Sequence, residues 1–170
     1  MNQAASLEST LHILIANQQS TLAIDKGRLC AIVKKILTDA NFCSGTLSIA
    51  IVDDPTIHQL NRQHLQHDWS TDVLSFPLEQ CGSHLEGEVV ISADTAINKS
   101  AEVKWPATEE LLLYAIHGAL HLVGYRDKSD QEITIMRTAE KSYLQQAGVE
   151  VSALDDRWQG LEPLGGLQAS

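Results

Sequence analysis

Apolar positions along the chain switch between two periods. Leu11 to Ala16 and Thr46 to Val52 are short apolar runs, and each predicts a strand. Asp25 to Asp39 instead sets Leu29, Ile32, Val33 and Ile36 at helical spacing, with Gly27 confined to the first turn. A second helix opens at Asp54-Pro55 and runs through Ile57, Leu60 and Leu65, with Asp54 as the expected N-cap and Pro55 at the first helical position. Val73 to Leu78 and Glu88 to Ile91 predict two strands separated by a polar loop, Glu79 to Gly87. Ser92 to Ala101 predicts a short helix. Ala107 to Val123, entered through Pro106, predicts a longer one with Leu112, Leu113, Ile116 and Leu120 as its core stripe. Ser129 to Ala147 reads as an amphipathic helix with Ser129 capping and Glu132 at the box position. This order of elements implies an α+β fold, a small mixed β-sheet packed with helices, in a single domain over residues 1–150. The pattern fades after Gly148, and residues 151–170 are expected to form a flexible tail.

Composition narrows the class. The 170 residues contain enough apolar chain for one substantial core, and no second domain is needed. The first residues lack a basic segment followed by a long apolar run, so a cytoplasmic protein without membrane association is expected. Cys30, Cys43 and Cys81 are odd in number and lack a C-x-x-C spacing, which reads as reduced thiols. The net charge of −10 opposes general nucleic-acid affinity. A local exception is Arg28 and Lys35, which share a helical face with Lys34 beside the second and Lys26 near the helix start; together they could form a basic strip for RNA. A solvated helix face explains those four residues equally well.

The chemistry is concentrated in His117-Gly118-Ala119-Leu120-His121-Leu122-Val123-Gly124-Tyr125-Arg126-Asp127. Residues four apart share a helix face, so His117 and His121 can present ring nitrogens to one ion. Gly124 can adopt the left-handed conformation that ends a helix and returns Asp127 to the same ion. Three such ligands suit zinc and leave a fourth position for a water made acidic by the metal. One site per chain is expected, and the oxygen ligand also admits manganese or a similar divalent ion. The spacing is that of the long zincin signature with Gly118 in place of the glutamate base and Asp127 in place of the third histidine. Glycine cannot take a proton from water, so ordinary zincin proteolysis is disfavoured.

These residues resemble the YbeY family of bacterial endoribonucleases and rRNA maturation factors. The resemblance extends to Leu60-Asn61, Thr71 to Pro77, Gly87 to Ser92, Met136 and Glu140. It implies a single-strand-specific, metal-dependent endoribonuclease acting in 16S rRNA 3′ end maturation and late ribosome quality control, with the ribosome or ribosomal proteins as partners. Leu65 aligns with an arginine that the resemblance would set beside the active site; Arg62, three residues earlier, is expected to take over that role. Asp72 and Glu88 are the candidates for a general base, and Asp72 and Ser75 for substrate contacts or for orienting a ligand histidine. Met136 reads as core, and His67 and His84 are minor candidates for RNA contact. Two other readings compete. One is a non-catalytic ribosome-assembly factor with a structural metal, favoured by Leu65; the other is a metallopeptidase, opposed by Gly118.

Overall fold

The computed structural model describes residues 10–66, 71–150 and 152, together with the backbone of 167–168. Strand β1 (Thr10–Asn17) leads into α1 (Lys26–Asp39), β2 (Ser44–Val52) and α2 (Asp54–Leu65). A hairpin of β3 (Val73–Cys81) and β4 (His84–Ser92) follows, and then α3 (Ala93–Val103), α4 (Ala107–Leu122) and α5 (Asp130–Gln146). The sheet order is β1-β2-β4-β3, with β1, β2 and β4 mutually parallel and β3 antiparallel to β4. The backbone of β5 (Leu167–Gln168) pairs with β3 at Leu74 and Ser75. Apart from Ser152, the rest of the expected tail lies outside the described residues, as does His67.

Strand alternation divides the apolar residues between two faces. Leu47, Ile49 and Ile51 of β2 and Val89 and Ile91 of β4 point to one face, where they meet Leu29, Val33 and Ile36 of α1 and the apolar positions of α4 in the main core. Val52, Leu74 and Val90 point to the other face and pack under Ile57 of α2 in a smaller core that Leu60, Leu65 and Phe76 adjoin. Helix α4 is enclosed by the sheet, α1, α3 and α5, and every residue from Glu110 to Leu122 is buried. A helix apolar on all sides is buried on all sides. The two histidines it carries are therefore placed inside the molecule.

Two local expectations are corrected. Asp53, not Asp54, caps α2, accepting from the Thr56 amide at 2.9 Å. Capping one residue earlier frees the Asp54 carboxylate to accept from the hydroxyls of Ser92 and Thr95, which ties α2 to the start of α3. The loop Glu79 to Gly87 is instead the middle of a long hairpin closed by Gly82-Ser83, where Gly82 has φ +58°. A register shift between Pro77 and Glu79 leaves Leu78 as an extra residue, 67% exposed, so the period-2 pattern is interrupted midway along β3.

Candidate metal centre

The site begins with how α4 ends. Gly124, at φ +106°, follows the C-cap Val123; its amide bonds the His121 carbonyl at 3.1 Å, and the Tyr125 amide bonds the Leu120 carbonyl at 3.0 Å. This pair of bonds is the Schellman arrangement, and the half-buried Tyr125 packs on the main core as its apolar partner. Its consequence is chemical. The Tyr125 carbonyl lies 3.0 Å from His121 Nδ1, and two residues later the chain has turned back far enough for Asp127 Oδ2 to lie 3.3 Å from His121 Nε2 and 3.6 Å from His117 Nε2.

His117 is held from the other side. Its Nδ1 is 2.7 Å from Oε1 of Glu140 on α5, and both side chains are 2% exposed, so the carboxylate has no solvent partner to prefer. With Nδ1–H of each ring donated to an acceptor, both Nε2 atoms carry lone pairs, and they face each other at 2.9 Å. Two lone pairs at that distance repel unless a cation lies between them. The separations of 2.9, 3.3 and 3.6 Å among His117 Nε2, His121 Nε2 and Asp127 Oδ2 bracket the edge of about 3.3 Å expected for a tetrahedral ion with bonds of about 2.0–2.1 Å. The donor set fits a divalent metal.

Electrostatics agree. Burial works against a charged His117, but its hydrogen bond to Glu140 and the charges of Glu140, Asp72 and Asp127 outweigh burial and raise its pKa above the usual imidazole value. Burial likewise opposes ionisation of Asp127, yet the His121 hydrogen bond and the charges of His121 and His117 hold its carboxyl below the usual range. A pocket that draws a proton onto imidazole attracts a metal cation for the same reason.

Gly118 has a packing role. A Cβ there would lie 2.6 Å from Val89 Cγ1 and 3.0 Å from Val73 Cγ2, and Ser75 Oγ donates to the Gly118 carbonyl at 3.1 Å. The position where a zincin carries its base is thus pressed against the sheet, and no side chain fits.

The other predicted residues are spread more widely. Asp72 is buried, accepts from the Val73 amide at 2.9 Å and the Thr71 hydroxyl at 3.1 Å, and is near enough to act on His117. Glu88 shares the parity of Val90, so its side chain is on the α2 face, with the sheet between it and α4. Arg62 is exposed on α2, which covers that same face. Leu65 packs against the smaller core. In the basic strip, Arg28 forms a two-bond ion pair with Glu109 at 2.9 Å and donates to the Ala147 carbonyl, and Lys35 pairs with Asp39 at 2.9 Å. Glu109 precedes the histidines by 8 to 12 residues on α4, so Arg28 is about 12–18 Å along the axis from them. Lys26 is exposed and Lys34 half-buried. The residue whose site role sequence reasoning missed is Glu140. Its signal was present: Met136, Glu140 and Leu144 form the buried stripe of α5, and a carboxylate in such a stripe requires a buried partner.

Two histidines one turn apart on a buried helix, a carboxylate returned by a glycine-ended turn, and a packed glycine where a peptidase has its base define a zincin-like metal centre without a zincin peptidase's base. The chain belongs to the Endoribonuclease YbeY family, whose profile matches residues 14–148. It is 45% identical over 114 residues to the Endoribonuclease YbeY of Rhodopirellula baltica, an alignment covering 66% of this chain and 59% of that one. It is also 35% identical over 139 residues to the Endoribonuclease YbeY of Carboxydothermus hydrogenoformans, covering 80% and 97% respectively. The solution structure of TM1509 from Thermotoga maritima superposes with a TM-score of 0.55 at 26% identity, covering 79% of this chain and 88% of that one.

Proposed function

We propose that the protein is a metal-dependent endoribonuclease that cleaves single-stranded RNA, acting in the cytoplasm on the 3′ end of 16S rRNA and in late ribosome quality control, with the ribosome or its proteins as partners. The observation that carries this reading is the three-ligand centre on α4 within a chain of the Endoribonuclease YbeY family. A structural metal ordinarily has four protein ligands, whereas three leave a place for substrate or water. Zinc is the ion proposed, with other divalent ions admitted by Asp127. Among the described residues no helix is long and apolar enough to cross a membrane.

A divalent ion held there supplies polarisation of a phosphodiester oxygen and acidification of a water. The protein's own contribution is to prepare the ligands. Glu140 and the Tyr125 carbonyl fix the tautomers of His117 and His121 so that both Nε2 atoms point inward, and Asp127 adds negative charge. Asp72 is proposed as the neighbouring acidic group that orients this cluster or accepts a proton. Arg62 on α2 is proposed as an outlying phosphate contact, as are Lys26 and Lys34; an Arg62→Ala variant that cleaves RNA like the wild type would remove it from the account. Glu88 is the weaker candidate for a general base because the sheet stands between it and α4.

One observation favours a second reading, a non-catalytic assembly factor with a structural metal: Leu65, aligned with an arginine in the resembling family, packs in an apolar cluster. Digestion of a single-stranded rRNA fragment and of casein, each with and without chelator, separates the possibilities. Chelator-sensitive cleavage of RNA with casein intact is the expected result. Metal retention with both substrates intact favours the assembly factor, and casein cleavage a peptidase.

A further inference from the structure

A groove of about 410 Å³ opens along the turn that joins the ligands His121 and Asp127. Val123, Gly124, Tyr125 and Arg126 line one side, and Glu132 and Ile135 of α5 line the other. Val123 and Tyr125 also pack on the main core, whereas Arg126 and Ile135 are exposed. Ile135 is 51% exposed on a helix whose buried stripe is Met136, Glu140 and Leu144. Arg126 is exposed, makes no hydrogen bond or ion pair among the described residues, and directly precedes the ligand Asp127. Glu132, the acidic member, is occupied: its Oε2 accepts from the amides of Lys128 and Ser129, both at 3.0 Å, as part of the α5 capping box.

A polyanion approaching a molecule of net charge −10 must find its cations locally. Arg28, Lys35 and Lys99 are held in intramolecular ion pairs. Arg126 directly precedes the ligand Asp127, its charge acts on Glu132 across the groove without a direct bond, and a guanidinium matches two phosphate oxygens at once. The apolar surface of Tyr125 and Ile135 beside it suits the face of an unstacked base, which a single strand can offer and a duplex cannot.

We propose that this groove is the subsite for the nucleotide flanking the cleaved bond, with Arg126 bonding its phosphate and Tyr125 and Ile135 receiving its ribose and base. The assignment rests on the ribonuclease reading above. It also gives single-strand preference a physical origin at the metal site.

The test uses the metal-loaded full chain with Arg126→Gln, Arg126→Lys and Ile135→Glu. Metal content is checked first, because none of these side chains is a ligand. Binding of a 2′-O-methyl single-stranded RNA is followed by fluorescence anisotropy across a KCl series, and cleavage of the unmodified RNA gives KM and kcat. For Arg126→Gln the slope of log K against log salt should become shallower by about 0.7, the contribution of one phosphate contact on a single strand, and KM should rise about tenfold with kcat little changed. Arg126→Lys should retain the slope while weakening binding, and Ile135→Glu should weaken binding by placing a second anion in the groove. If the wild type binds and cleaves RNA while Arg126→Gln and Ile135→Glu match it, the groove assignment is overturned and the ribonuclease reading survives. If the wild type neither binds nor cleaves, both fall.

Discussion

At the scale of single residues, the site is governed by two side-chain choices outside the metal ligands. Glu140 holds the Nδ1 proton of His117 at 2.7 Å, so Glu140→Gln should preserve the shape of α5 while replacing an anionic acceptor by a neutral amide. We expect metal affinity to drop roughly 10- to 100-fold with the far-ultraviolet spectrum unchanged, as measured by competition with a chromophoric chelator. Unchanged affinity would show that the hydrogen bond does not prepare the ligand. Gly118 is the second choice. Its closest neighbour on the sheet leaves no space for a methyl group, and Gly118→Ala should destabilise the fold by about 1–3 kcal/mol in urea denaturation, through overpacking against Val89 and Val73. An unperturbed midpoint would mean that α4 can retreat from the sheet at little cost.

At the scale of elements, most of the architecture was legible because α1 and α5 bury one apolar stripe each, α4 is apolar nearly all round, and β2 alternates from Ser44 to Ile51. What escaped has identifiable causes. The bulge at Leu78 breaks the alternation of β3, and its exposed half, Glu79-Gln80-Cys81, has the composition of a loop. Consecutive aspartates at 53 and 54 offer two plausible caps, and only the tertiary bonds of Asp54 to Ser92 and Thr95 decide between them. In the metal centre, local spacing brought His117, His121 and Asp127 within reach of one another, whereas Glu140 comes from another helix and depends on packing that no local pattern displays. The same limit applies to Glu88, whose strand parity shows only once β4 is seen between two covered faces.

One inter-element link has a pH signature. Asp39 ends α1, accepts from Lys35, and receives the hydroxyl of Tyr143 on α5 at 3.0 Å. The Lys35 hydrogen bond, opposed by slight burial and aided by Tyr143, holds the Asp39 carboxyl below its usual range; burial and Asp39 push the Tyr143 hydroxyl up to about 12. A carboxyl with a lowered folded pKa stabilises the protein above its unfolded value of about 3.9, and the contribution is lost as pH falls below that value. The phenol works in the opposite sense: its contribution is complete below about pH 10 and is lost as pH rises toward 12. Asp39→Asn should therefore lower the urea midpoint at neutral pH, by less than about 1 kcal/mol for so exposed a pair, and the difference from wild type should close on acidification from about pH 5 to about pH 3. A gap that persists in acid would assign the effect to packing rather than charge.

At the scale of the whole molecule, the metal centre joins α4, α5 and the turn between them, so ion binding and folding should be linked. Chelation should lower the thermal midpoint and restoring zinc should recover it; identical midpoints would mean that the ligands are held equally well without the ion.

In the function proposed above, one ion on His117, His121 and Asp127 makes this chain a ribonuclease. Metal content by mass spectrometry and cleavage of a single-stranded rRNA fragment, measured on identically purified wild type and His121→Ala, test it together. About one ion per chain and cleavage are expected for the wild type, with both lost in the variant. A variant that cleaves RNA as well as the wild type, or a metal-loaded wild type that leaves RNA intact, would contradict it.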